Sequence, residues 1–178
     1  MKLHLRFDVL VVAALAFTAC GSEEAGAVRE VGSEQAAGSG RKPRIEVCKL
    51  LSDAQVRSVV PDLADTRVAS NGESLMKTVE SYQCSHVNTS AEGLIVEVHF
   101  AADDQSFRQI TGGGPDRFET EKKLDIGDAS WIYPKDNRMI VTVHQGRTLV
   151  ELLLNTKDAA QKGQALTELA RAVAAKVR

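Results

Sequence analysis

Three stretches of this chain alternate apolar and polar residues with a period of two, and that pattern restricts the fold more than any other feature. Leu94, Val96, Val98 and Phe100 alternate with Ile95, Glu97, His99 and Ala101. Met139, Val141 and Val143 alternate with Ile140, Thr142 and His144, and Val150, Leu152 and Leu154 share one face of residues 148–154. Successive side chains of a strand point to opposite sides of its sheet, so each stretch predicts a strand with one face in a core. Gln145-Gly146-Arg147 predicts a tight turn between the last two, and Pro134-Lys135-Asp136-Asn137 predicts the hairpin turn before them. Residues 79–87 and 130–133 read as weaker strands. Hairpins join antiparallel neighbours, so the sheet is expected to be mostly antiparallel.

Helices are expected at three places. Ser52-Asp53-Ala54-Gln55 fits a capping box and opens a short helix presenting Ala54, Val56, Val59 and Val60, which Pro61 stops. Residues 102–111 predict a second, with Phe107 and Ile110 three apart, broken by Gly112-Gly113-Gly114-Pro115. Leu166, Leu169, Ala170, Val173 and Val177 form one helical stripe near the C-terminus, with Asn155 or Thr156 as its cap. Gly163 there implies close packing or fraying. Leu149 and Leu153 make the second face of the last strand partly apolar, and the C-terminal helix is the expected cover. Elements in this order define an α+β domain, a mostly antiparallel sheet packed by short helices and a C-terminal helix. The hexapeptides 94–99 and 139–144 resemble each other, through shared strand patterning or through a duplicated half.

The N-terminus carries a different signal. Lys2 and Arg6 precede an apolar run over residues 9–19. Eleven residues at about 1.5 Å each span roughly 16 Å, short of a hydrocarbon core of about 30 Å, so the run reads as a secretory signal. It ends in Phe17-Thr18-Ala19-Cys20, which resembles a bacterial lipobox. Cys20 is then the lipidated residue; the alternative is an ordinary signal peptide with an incidental cysteine. Residues 21–44 read as a tether, because half of these 24 residues are Gly, Ala or Ser. Such a segment buries too little apolar surface to order itself, and as a coil it spans about 27 Å. The expected organisation is residues 1–19 as signal, 20–44 as lipidated cysteine and tether, and 45–178 as one globular domain. Its localisation would be the extracytoplasmic face of the cell membrane.

An oxidising compartment changes the reading of the remaining cysteines. Cys48 and Cys84 are an even pair and are expected to form a disulfide; two buried thiols are the alternative. Removing residues 1–19 removes Lys2, Arg6 and Asp8, which leaves 20 basic and 23 acidic side chains and a charge of −3. That balance argues against nucleic acid as a partner.

Cys48-Lys49-Leu50-Leu51-Ser52-Asp53-Ala54-Gln55-Val56 resembles the opening of a family of small actinobacterial lipoproteins, catalogued as a domain of unknown function, number 3558. Cys84 and Gly127-Asp128-Ala129-Ser130 match the family's second cysteine and its late turn. The family often has a glycine where the first helix ends and a tryptophan two residues past the second cysteine, where this chain has Pro61 and His86. The resemblance implies a Mog1/PsbP-like sandwich, more often a binding scaffold than an enzyme, and it carries over no catalytic residue.

The sequence holds no Gly-x-Ser-x-Gly elbow, no His-Glu-x-x-His and no phosphate-binding loop, so no enzyme and no cofactor is expected. Asp125 and Asp128 read as turn residues. No metal site is expected; His99 and His144 are the candidates, since if their strands were neighbours the imidazoles could share an ion or sense pH, the alternative being exposed strand histidines without function. The expected function is a lipid-anchored, non-catalytic interaction module contacting an envelope protein or polymer. The alternative is a carrier or sensor of a small apolar molecule, held in a pocket between sheet and helices.

Overall fold

A computed structural model describes residues 44–72, 76–112 and 122–177, all within the unit Ala36–Arg178. Cys20, the signal segment, the tether as far as residue 43 and Gly113 to Pro115 of the glycine-rich loop lie outside the described residues.

The alternating stretches form the centre of one seven-stranded sheet. Its strands are β1 (Leu63–Asn71), β2 (Val79–Asn88), β3 (Gly93–Ala101), β4 (Lys122–Lys123), β5 (Ala129–Lys135), β6 (Arg138–Gln145) and β7 (Thr148–Asn155). The spatial order is β1-β2-β3-β7-β6-β5-β4, and every adjacent pair is antiparallel. The helices are α1 (Asp53–Arg57), α2 (Asp104–Thr111) and α3 (Gly163–Lys176), with 3₁₀ turns at Val47–Lys49 and Ala159–Lys162. The molecule is therefore an α+β fold with a wholly antiparallel sheet.

The two similar hexapeptides are the two neighbours of β7, in the same register. Val96 and Val141 both face Leu152, Val98 and Val143 both face Val150, and His99 and His144 both face Leu149. Their likeness follows from flanking one strand with the same core face, which accounts for it as shared patterning.

The core lies between one sheet face and a layer of α3, α1 and the 3₁₀ turn at Val47–Lys49. Leu94, Val96, Val98, Val141, Val143, Val150, Leu152 and Leu154 meet Val56, Val59, Val60, Leu166, Leu169, Ala170 and Val173, all buried. The capping box on α1 is complete: Ser52 Oγ accepts the N–H of Gln55, and Gln55 Oε1 accepts the N–H of Ser52. Ala54, expected to face the core, is exposed, because α1 is a single turn whose inward side is taken by Val56. Lys162 and Lys176 of the C-terminal segment donate to the carbonyls of Val59 and Leu50 at 2.8 and 2.6 Å, tying it to the start of the domain.

The Cys48–Cys84 disulfide is present and fastens the first 3₁₀ turn to β2. Several local expectations shift. α3 begins at Gly163, after a 3₁₀ turn, and neither Asn155 nor Thr156 caps it. The close packing expected at Gly163 is there: a Cβ would stand 3.3 Å from Ile132 Cδ1. Pro134 lies inside β5 opposite Met139, so the hairpin turn shrinks to Asp136-Asn137. Among the described residues β4 pairs with β5 only at Trp131 and Ile132, so none of them needs the N–H that Pro134 lacks. α3 packs on the Val150–Leu152–Leu154 face, so the cover over the Leu149 side is α2 instead. Phe107 of α2 meets the His144 ring edge to face at 5.3 Å.

Candidate functional site

The sheet face turned away from the α3 core carries the polar chemistry. On it, β2 presents Ser81 and Gln83, β3 presents Glu97 and His99, β7 presents Leu149 and Glu151, and β6 presents Thr142 and His144. Cross-strand pairing sets Gln83, Glu97, Glu151 and Thr142 side by side in one row, and Ser81, His99, Leu149 and His144 in the next.

Three of these side chains converge. One ligand-type atom from each of Glu97, His99 and Glu151 lies within 4.8 Å of the other two, the only such grouping of His, Cys, Asp and Glu among the described residues. All three are half-buried. His99 Nε2 stands 3.5 Å from Glu97 Oε2.

Each member is held from outside the cluster by its neighbour in the sheet. His99 Nδ1 and Ser81 Oγ are 2.8 Å apart. Glu97 can only accept, so without a bound ion Nε2 carries the proton facing it, and Nδ1 accepts from the Ser81 hydroxyl. The Gln83 amide donates to Glu97 Oε1, leaving Oε2 toward the imidazole. Thr142 Oγ1 donates to Glu151 Oε1 at 3.4 Å.

The two carboxylates have opposite electrostatics. The hydrogen bond with His99, followed by a smaller opposing effect of burial, holds Glu97 below the usual glutamate range. Burial, with the Glu97 charge adding to it, pushes Glu151 up. One group is thus held as an anion and its neighbour resists becoming one.

The histidine pair expected from the sequence is not brought together. His99 and His144 lie on β3 and β6, with Leu149 of β7 between them. Two strand spacings put their backbones about 9.5 Å apart. The His144 ring instead sits edge to face against Phe107 and Trp131, and burial lowers its affinity for a proton. Asp128 is a turn residue, as expected: its Oδ2 accepts the N–H of Gly146 at 2.6 Å.

Sequence reasoning reached His99 but missed Glu97 and Glu151 as its companions. The available signal was one charged residue in the middle of each strand's second face, Glu97 between Ile95 and His99, and Glu151 between Leu149 and Leu153.

A separate open cleft of about 350 Å³ is lined by Arg44, Phe100, Ala101, Ala102, Arg147 and Thr148. The Arg44 guanidinium lies 3.9 Å over the Phe100 ring, and Arg147 donates to the carbonyl of Ala102. The cleft has no carboxylate, imidazole or thiol in its lining.

No protein-family model matches this chain, and no curated protein matches it. No helix among the described residues is long and apolar enough to cross a membrane.

Proposed function

We propose that this chain is a lipid-anchored lipoprotein of the bacterial envelope, whose α+β domain acts as a non-catalytic interaction module outside the membrane. Lipidation at Cys20 would supply the anchor, residues 21–44 the reach, and the disulfide-bonded domain the binding surface. Two acyl chains suffice for stable anchoring.

The filled core favours an interaction module over a carrier of small apolar molecules. Leu94, Leu152, Leu154 and Leu166 are fully buried where sheet meets helices, the place a carrier would keep hollow. The cleft beside Arg44 and Arg147 is open and has two guanidinium groups at its lining, unlike an apolar pocket. The disulfide supports an oxidising compartment.

Two measurements test this reading. Cys20→Ala should lose metabolic lipid label and leave the membrane fraction; a variant that stays there sinks the anchor. Crosslinking of the native protein in its membrane, followed by mass spectrometry, should trap an envelope protein or polymer on the domain. Co-purification of a stoichiometric apolar small molecule would instead favour the carrier.

A further inference from the structure

We propose that Glu97, His99 and Glu151 form a binding site for a divalent transition-metal ion such as Zn²⁺. The inference rests on their geometry and is independent of whether Cys20 is lipidated.

Glu97 and Glu151 are directly opposite each other across β3 and β7, where like charges normally destabilise a sheet. A cation between them turns that repulsion into attraction. His99 supplies a neutral nitrogen on the same side, and imidazole with carboxylates suits first-row transition metals. Mg²⁺ and Ca²⁺ prefer more ligands, all of them oxygen.

The supporting contacts point the same way. A metal-bound imidazole normally donates its other N–H to an oxygen acceptor, and ligating carboxylates are themselves hydrogen-bonded. Here Ser81, Gln83 and Thr142 stand at those three places, one on each candidate ligand, and the Ser81 hydroxyl would accept from Nδ1–H once the ion replaces the proton on Nε2. None of the three belongs to the cluster, and each is set by strand register. The ligand atoms would have to close to about 3.3 Å, the edge of a tetrahedron with bonds of about 2.0–2.1 Å. Glu97 Oε2 and His99 Nε2, at 3.5 Å, are nearly there already. Glu151, within 4.8 Å of both, would have to rotate inward to close the remainder. Three protein ligands leave a fourth position for water or a donor atom from a partner.

Isothermal titration of the full chain, stripped with EDTA and titrated with Zn²⁺ alone, tests the site, with Mg²⁺ as the hard-cation comparison. One Zn²⁺ per chain is expected, with Mg²⁺ binding at least tenfold weaker. His99→Gln and Glu151→Gln should each weaken Zn²⁺ binding at least tenfold, and His144→Gln should leave it unchanged. Thr142→Val keeps every ligand and should weaken binding about tenfold through lost orientation of Glu151, so the test survives if a ligand variant fails to fold. No heat with Zn²⁺, equal affinity for Mg²⁺, or Zn²⁺ binding unchanged in both His99→Gln and Glu151→Gln would overturn the proposal.

Discussion

Glu97 and Glu151 face each other as a directly opposed pair on neighbouring strands, yet their protons are held in opposite senses. The raised affinity of Glu151 means that the folded chain holds its proton better than the unfolded chain. Its contribution to stability is therefore present at acid pH and is lost as pH rises through the raised folded value. Glu151→Gln, which removes that charge, should stabilise the metal-free domain at pH 8 by about 0.5–1 kcal/mol. The gain should shrink toward pH 4. Urea denaturation in EDTA at the two pH values measures it, and a destabilised variant at pH 8 would contradict the assignment.

His86 has the opposite consequence in a different place. It is 1% exposed, Thr66 Oγ1 lies 3.0 Å from its Nδ1, and its Nε2 has no hydrogen-bond partner among the described residues. Burial lowers its affinity for a proton, with Asp53 opposing more weakly. The unfolded chain therefore takes up a proton near pH 6.5 that the folded chain resists, so stability falls as pH drops below that value. His144 works in the same direction. The urea midpoint should fall between pH 7.5 and 5.5, and His86→Leu should reduce that fall. An undiminished pH dependence in the variant would remove His86 from the explanation.

The disulfide closes a loop between residues 36 positions apart. In the chain-entropy account a loop of that size contributes about 3–4 kcal/mol. The double variant Cys48→Ala, Cys84→Ala should lose about that much in denaturant titration. Mass mapping under non-reducing conditions should recover the two cysteines in one linked peptide pair.

Two glycines with left-handed backbone should respond unequally to alanine. At Gly127, φ is +63° and a Cβ would stand 2.5 Å from the carbonyl oxygen of His144; at Gly146, φ is +57° and nothing lies within 4 Å. Gly146→Ala carries the backbone cost alone, about 1 kcal/mol. Gly127→Ala adds a collision with main chain that cannot move aside, and should cost about 2–3 kcal/mol. Equal melting temperatures for the two variants would show that the turn relaxes.

The parts of this fold that the sequence disclosed are those where one residue's neighbours decide its place. The alternation at Leu94–Val96–Val98 and at Met139–Val141–Val143 is a local period, and it located β3 and β6. The capping box at Ser52 and Gln55 is equally local, and so is the stripe from Leu166 to Val177. β1 was not legible. It is an edge strand rich in polar residues, mostly exposed, with Val68 at 54% exposure, so no buried face imposes a pattern. The start of α3 was misplaced because the chain first turns through a 3₁₀ segment, which spacing does not distinguish from a helix. The candidate site was half-legible for a related reason. His99 stood out as a residue type, but its partner Glu151 depends on β3 lying beside β7, a fact of topology and not of spacing.

The bond between Cys48 and Cys84 also decides how tension would travel through the domain. A pull on the chain upstream of residue 44 meets the sheet at Cys84, because the covalent link lies only four residues in. Cys84 is in the middle of β2, a strand hydrogen-bonded to β1 on one side and β3 on the other. The load is then shared by two ladders instead of falling on one. Residues 49–83, with α1 and the exposed strand β1, sit inside the closed loop and out of the line of force. The mostly exposed edge strand β1 is thereby shielded from any load applied through the N-terminal end.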